Sequence, residues 1–179
     1  MPKLHISLAM LLLASSAQGQ RTTARPSTDP WEITEQTNQP SLTLELSALN
    51  TVSRDRFRVR PLLVVRCQER ALEVFVSTGS VLEADDSMMT PVRVQWGTAA
   101  PEQTRWSRST DSMSAFAPSP RALLRQLESN PDLRVEIRPS GGSPQVIRFN
   151  VRGLDRHMPQ VDVACRPKRI GELRDTIRR

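Results

Sequence analysis

The chain has 179 residues, a hydrophobic share of 37% and a net charge of +6, which leaves room for one domain with a modest core. Aromatic residues make up only 4%, with no Tyr, so a stacking platform for bases or sugars is not expected. Two His and two Cys exclude most zinc sites, and the basic residues are all Arg except Lys3 and Lys168.

Residues 1–19 have the features of a secretory signal peptide. Lys3 supplies the positive start, and Leu8 to Ala14 form an apolar run far shorter than the roughly 20 residues that span a bilayer. Ala17-Gln-Gly19 places small residues where a signal peptidase reads, so cleavage is expected after Gly19, with Ala17 as the alternative. No Cys follows the run, which disfavours a lipid anchor, and no later stretch approaches membrane length. The expectation is an exported, periplasmic protein with no transmembrane segment in its mature chain.

Residues 20–30 are rich in Thr, Arg and Pro and read as a flexible leader. Residues 31–37 suit a short edge strand. From Ser41 to Leu49 the chain alternates, with Leu42, Leu44, Leu46 and Ala48 on one face and Thr43, Glu45 and Ser47 on the other. That period of two marks a half-buried strand. Residues 54–60 alternate as well, which would set Arg54, Arg56, Arg58 and Arg60 on one face and Phe57 and Val59 on the other.

After Pro61 the run Leu62–Cys67 is more continuously apolar. Gln68-Glu-Arg70 suits a turn and Ala71–Val76 a returning strand, the clearest hairpin in the chain. Residues 79–90 are acidic and loop-like. Val92–Trp96 alternates, and residues 104–109 are placed to pair with it across the loop containing Pro101. Ser119-Pro120 is a helix start, Leu123, Leu124 and Leu127 form its apolar stripe, and Asn130-Pro131 ends it.

Residues 133–138 and 145–151 form a second hairpin around Ser140-Gly-Gly-Ser143. Its inner face would be Leu133, Val135, Ile137, Ile147, Phe149 and Val151, and its outer face carries several Arg. Residues 153–165 suggest a short helix whose start Pro159 limits, and residues 166–179 form a basic tail. The sum is a mainly β chain: an antiparallel β-sandwich of about eight short strands with one or two short helices, over residues 31–165.

The two Cys of an exported protein suggest one disulfide, Cys67 to Cys165. It would close a loop of about 99 residues, for which chain entropy gives roughly 4–5 kcal/mol. A catalytic thiol is the competing reading. It needs a base, and the mature chain offers only His157, shortly before Cys165 in a segment that reads as helical.

No catalytic set, metal-ligand set or cofactor motif is expected. Glu83, Asp85 and Asp86 cluster, but without the spacing of a calcium loop, so a solvated turn is the simpler reading. Gly141-Gly142 suits a hairpin turn rather than a phosphate loop. The Arg-bearing faces attract anionic groups, yet Arg also alternates with Glu and Asp, which suits a solvated surface with cross-strand pairs. Trp96, Trp106, Asp111 and Phe116 lie close in sequence. Exposed Trp would mark an interaction site, whereas in a sandwich Trp is more often core, and Asp111 suits a turn cap. The basic tail carries Ile170, Leu173 and Ile177 at helical spacing and could dock on an anionic surface, or simply fray.

Several of these features, taken in order, resemble the VasI family, also called TagO, of type VI secretion-associated proteins. They are Trp31-Glu-Ile33, the Leu42-Leu44-Leu46 strand, Pro61 to Cys67, Leu72 to Val76, and Val92-Arg-Val94. Trp106, Ser109, Asp111 and Phe116 follow, then Phe149, Gly153-Leu154 and Val161 before Cys165. The resemblance runs from Trp31 to Cys165, and the leader and basic tail depart from the family pattern. It implies an exported accessory protein of a contractile secretion apparatus in the Gram-negative periplasm, with no catalytic residues to carry over.

The leading expectation is therefore a non-enzymatic protein that contacts envelope or secretion-apparatus proteins through its sheet faces and the region of Trp96, Trp106, Asp111 and Phe116. The alternative is a binding module for anionic envelope polymers, lipopolysaccharide or acidic glycan, through Arg54, Arg56, Arg58 and Arg60. An envelope hydrolase is the third reading, and nucleic acid is not an expected partner.

Overall fold

A computed structural model of the chain describes residues 29–36, 41–54 and 56–166. The expected signal peptide, nearly all of the leader and all but the first residue of the basic tail lie outside the described residues.

The protein is mainly β. In chain order the strands are β1 (Trp31–Gln36), β2 (Ser41–Ser47), β3 (Val52–Arg54), β4 (Phe57–Val59), β5 (Leu62–Gln68) and β6 (Ala71–Ser77). Then come β7 (Met89–Trp96), β8 (Glu102–Arg108), β9 (Ser114–Phe116) and helix α1 (Pro120–Ser129). Strands β10 (Asp132–Ile137) and β11 (Gln145–Asn150), a 3-10 turn (Leu154–Arg156) and helix α2 (Met158–Ala164) complete the order. Nine strands form one sheet, ordered β1-β2-β5-β6-β9-β8-β7-β10-β11, and β3 and β4 form a separate ribbon. All the ladders are antiparallel.

The alternating sequences build this sheet because one set of side chains must leave water. In β2, Leu42, Leu44 and Leu46 are buried while their neighbours are not. All six inner residues expected for the second hairpin are buried. Leu44, Leu63 and Val74 from one half of the sheet share a single core with Val135, Ile147 and Phe149 from the other. The sheet thus folds over on itself, as a sandwich must.

Edge strand β11 is tied to the segment after β2. Leu49 N–H donates to Arg148 O at 2.7 Å, and Arg148 N–H donates to Asn50 Oδ1 at 2.8 Å. Asn50 Nδ2 donates to Val146 O at 2.9 Å. These bonds satisfy backbone groups that a bare edge would expose. The other edge, β1, carries exposed Glu32 and Glu35, charges that discourage edge-to-edge pairing.

The 54–60 segment differs from its expected single strand. Val52 pairs with Val59 and Arg54 with Phe57, so the chain reverses between them. Burial of Val52 and packing of Val59 against the core outweigh the alternation that a continuous strand would use. Phe57 is left 73% exposed at the ribbon tip, and the four Arg do not share one strand face.

The β5–β6 hairpin turns on Glu69 and Arg70, with φ of 50° and 69°, the left-handed pair of a two-residue reversal. Strand β7 begins at Met89, ahead of its expected start. Pro91 is tolerated there because β10 pairs with β7 only from Val92 onward, leaving Pro91 on a local edge. Strand β9 hydrogen-bonds to both β6 and β8. Helix α1 starts and stops where expected, although the Ser119 side chain makes no cap hydrogen bond. Its Leu124 and Leu127 are buried.

Cys165, at the end of α2, is disulfide-bonded to Cys67 in β5, with Cα atoms 5.4 Å apart. The bridge anchors α2 to an interior strand of the sheet, and both residues lie in the core.

Candidate functional site

Helix α1 packs on β6, and with the chain leading into it faces the β7–β8 ribbon across a groove. In that ribbon Val94 pairs with Glu102 and Val92 with Thr104, and Trp96 stands at the end of β7. The groove has a volume of about 380 Å³. Its apolar lining includes Trp96, Trp106, Pro118 and Leu123, while Glu102, Arg125 and Gln126 supply polar groups. Trp96 and Leu123 are half-buried. Trp106 is 1% exposed and belongs to the core. Its buried ring forms the groove's floor.

The expected Trp96–Phe116 surface is therefore divided. Ala115 points into the core, so its neighbour Phe116 points out. Phe116 stacks on Phe75 with ring centroids 4.5 Å apart. The Arg66 guanidinium lies 5.0 Å from the Phe75 ring centroid and pairs with Glu73. Asp111 organises the β8–β9 turn. Ser109 Oγ donates to Asp111 Oδ1 at 2.5 Å, and Met113 N–H donates to the same oxygen at 2.9 Å. The Ser109 hydroxyl, then the Met113 N–H, hold this carboxyl below its ordinary range. Asp111 does not line the groove.

The four Arg also separate. Arg58 Nε donates to Thr51 Oγ1 at 2.7 Å, and Arg60 Nη1 donates to Ala48 O at 2.8 Å. Both guanidiniums thus fasten their own loop. Arg56 is exposed in the ribbon turn. Arg54 lines a polar bowl formed with two other loops. On the second hairpin's outer face Arg93 pairs with Glu136, while Arg138 pairs with Glu83.

The acidic segment is a scaffold. Asp85 Oδ1 accepts from Ser87 N–H at 2.9 Å and from Met89 N–H at 3.0 Å, and Asp85 Oδ2 pairs with Arg105. Among the described residues there is no group of three or more His, Cys, Asp or Glu placed to hold a metal ion. Cys165 is spent in the disulfide, so it has no thiol for the competing Cys–His reading.

One contact was invisible in the sequence. The His157 ring, 8% exposed, meets Asp29 with Nε2 and Oδ2 at 2.9 Å. Asp29 Oδ1 accepts from Trp31 N–H at 3.1 Å. Burial pushes the Asp29 carboxyl up, but Trp31 N–H, His157 and Arg156 together hold it below its ordinary range. Gly153 makes the turn beside it, with a φ of +89° in the left-handed region that favours glycine. This clasp fixes the start of β1 to the turn before α2.

The molecule is thus a mainly β, disulfide-bridged domain with a helix-flanked groove. No protein family model matches the chain, and no curated protein sequence does. Its fold is similar to that of invasion associated protein B from Bartonella henselae, a solved structure, with a TM-score of 0.50 and 11% identity. The similarity covers 75% of this chain and 92% of that chain. At this identity the likeness concerns the fold alone.

Proposed function

We propose that the protein is an exported periplasmic accessory factor that acts by protein–protein contact rather than catalysis, with the groove between α1 and the β7–β8 ribbon as its contact surface. The groove carries this reading. Half-buried Trp96 and Leu123 offer an apolar socket, and Glu102 and Arg125 at its rim can orient what enters. Aromatic anchors in partly enclosed pockets are where interfaces concentrate their energy.

The Cys67–Cys165 bridge fits an oxidising compartment, in keeping with the export signal read at residues 1–19. The order of motifs from Trp31 to Cys165 supports a setting in a type VI secretion apparatus.

The test is site-specific photocrosslinking in the native host. A photoreactive residue at Ala122, exposed on the groove side of α1, is expected to capture an envelope component of the apparatus. The same probe at Arg148, on the sheet's outer face, is expected not to. Trp96→Ala is expected to abolish the Ala122 crosslink. Identical capture from both positions, or capture unaffected by Trp96→Ala, would remove the groove from the account.

A further inference from the structure

We infer that the bowl around Arg54 is a second, separate binding site, and that its ligand is an acidic saccharide unit bearing a carboxylate. The bowl has a volume of about 560 Å³ and lies where three loops meet. Ser53 and Arg54 come from the end of β3, Ser80 and Val81 from the β6–β7 loop, and residues 139–145 from the β10–β11 loop.

The loops are stitched together. Pro139 bridges to Leu82, Ser140 N–H donates to Val81 O at 2.8 Å, and Gln145 Nε2 donates to Ser53 O at 3.0 Å. Such a cavity is formed before its ligand arrives, which reduces the ordering that binding requires.

The lining defines the ligand. Among the described residues, Arg54 is its sole ionisable side chain and no carboxylate lines the bowl. Nearby Glu83 is already paired with Arg138. A guanidinium in that position favours an anion, best a planar carboxylate that takes two parallel hydrogen bonds. A single cation suits a single negative charge better than a polyphosphate. Hydroxyls of Ser53, Ser140 and Ser143 surround it, matching a ligand rich in hydroxyls.

Ser80, 6% exposed, forms part of the bowl's wall. Pro139, Pro144 and Val81 give apolar flanks against which the C–H face of a sugar ring can lie, and no aromatic ring is present to stack a base. The volume falls in the range of about 300–1,000 Å³ common to small-molecule sites, beyond what a lone inorganic anion fills.

The experiment uses the isotope-labelled exported protein, titrated with trigalacturonate and followed by amide NMR. Maltotriose, acetate and inorganic phosphate are the comparison ligands. Expected are shifts confined to residues 53–54, 80–82 and 139–145, at least about tenfold weaker binding in Arg54→Gln, and partial retention in Arg54→Lys. Maltotriose, lacking charge, and acetate and phosphate, lacking the sugar hydroxyls, are each expected to bind at least about tenfold more weakly. Thermal melting confirms that the exposed Arg54 variants are folded. The inference is overturned by no shifts at up to about 10 mM trigalacturonate, by shifts elsewhere, by equal affinity in Arg54→Gln, or by equal affinity for any comparison ligand. The bowl and the α1 groove share no lining residue, so the two claims fail independently.

Discussion

Replacing both bridge cysteines, Cys67→Ala with Cys165→Ala, removes a constraint on the unfolded chain while changing little folded volume. The sequence separation is 98 residues. Chain entropy for a loop of that length gives about 4.7 kcal/mol, an upper figure because denatured chains keep residual structure. Both sites are nearly fully buried, with exposures of 1% and 2%, so alanine is preferred to serine, whose hydroxyl would be left without a partner. Guanidinium unfolding is the assay. With a slope of a few kcal/mol/M, the midpoint is expected to fall by about 1 M. Because Cys165 ends α2, hydrogen exchange is expected to rise first in that helix and only later in β5. Coincident midpoints for wild type and variant would refute the argument that the bridge stabilises by restricting the unfolded state.

Trp106→Ala is expected to cost about 3–5 kcal/mol by denaturant unfolding, the usual range for a buried aromatic, whereas half-buried Trp96→Ala is expected to cost far less and leave the fold intact. Equal losses would contradict the division into floor and wall. The depressed Asp29 carboxyl contributes stability that is present above its unfolded value of 3.8 and lost as pH falls through the lower folded value. The stability difference between wild type and Asp29→Asn is therefore expected to shrink as pH falls below about 4. A difference that grows with acid would show the sign to be wrong. Added calcium or chelator is expected to leave the melting temperature unchanged, since Asp85 is already engaged by Ser87, Met89 and Arg105. A rise of several degrees with calcium would refute that.

Much of the sheet was legible because burial on one face imposes a period of two. Leu133, Val135 and Ile137 with Ile147, Phe149 and Val151 show this, and so do Leu42, Leu44 and Leu46. The disulfide was legible from the cysteine count and the export signal read at residues 1–19. The split of residues 54–60 was not, because alternating Arg imitates a strand while the reversal lacks Gly or Pro. Strand β9 is three residues long and carries no periodic signal. Its insertion between β6 and β8 is a long-range pairing that local pattern does not encode.

The candidate site was half legible. Trp96 and Trp106 do meet at one groove, but the same alternation that buries Ala115 sends Phe116 to the opposite face. The Arg54 bowl draws on three loops distant in sequence, and its only local mark is a recurrence of Ser, Gly and Pro. The Asp29–His157 clasp joins residues 128 positions apart, one of them in a stretch that reads as leader.

The most direct measurement is release of the type VI tube protein into the medium by the native host. The gene would be deleted, then restored as wild type or as Trp96→Ala. Deletion is expected to stop release, wild type to restore it, and Trp96→Ala to fail while accumulating as folded protein. Release that continues unchanged without the gene, while the apparatus is firing, would contradict the assignment to that machine.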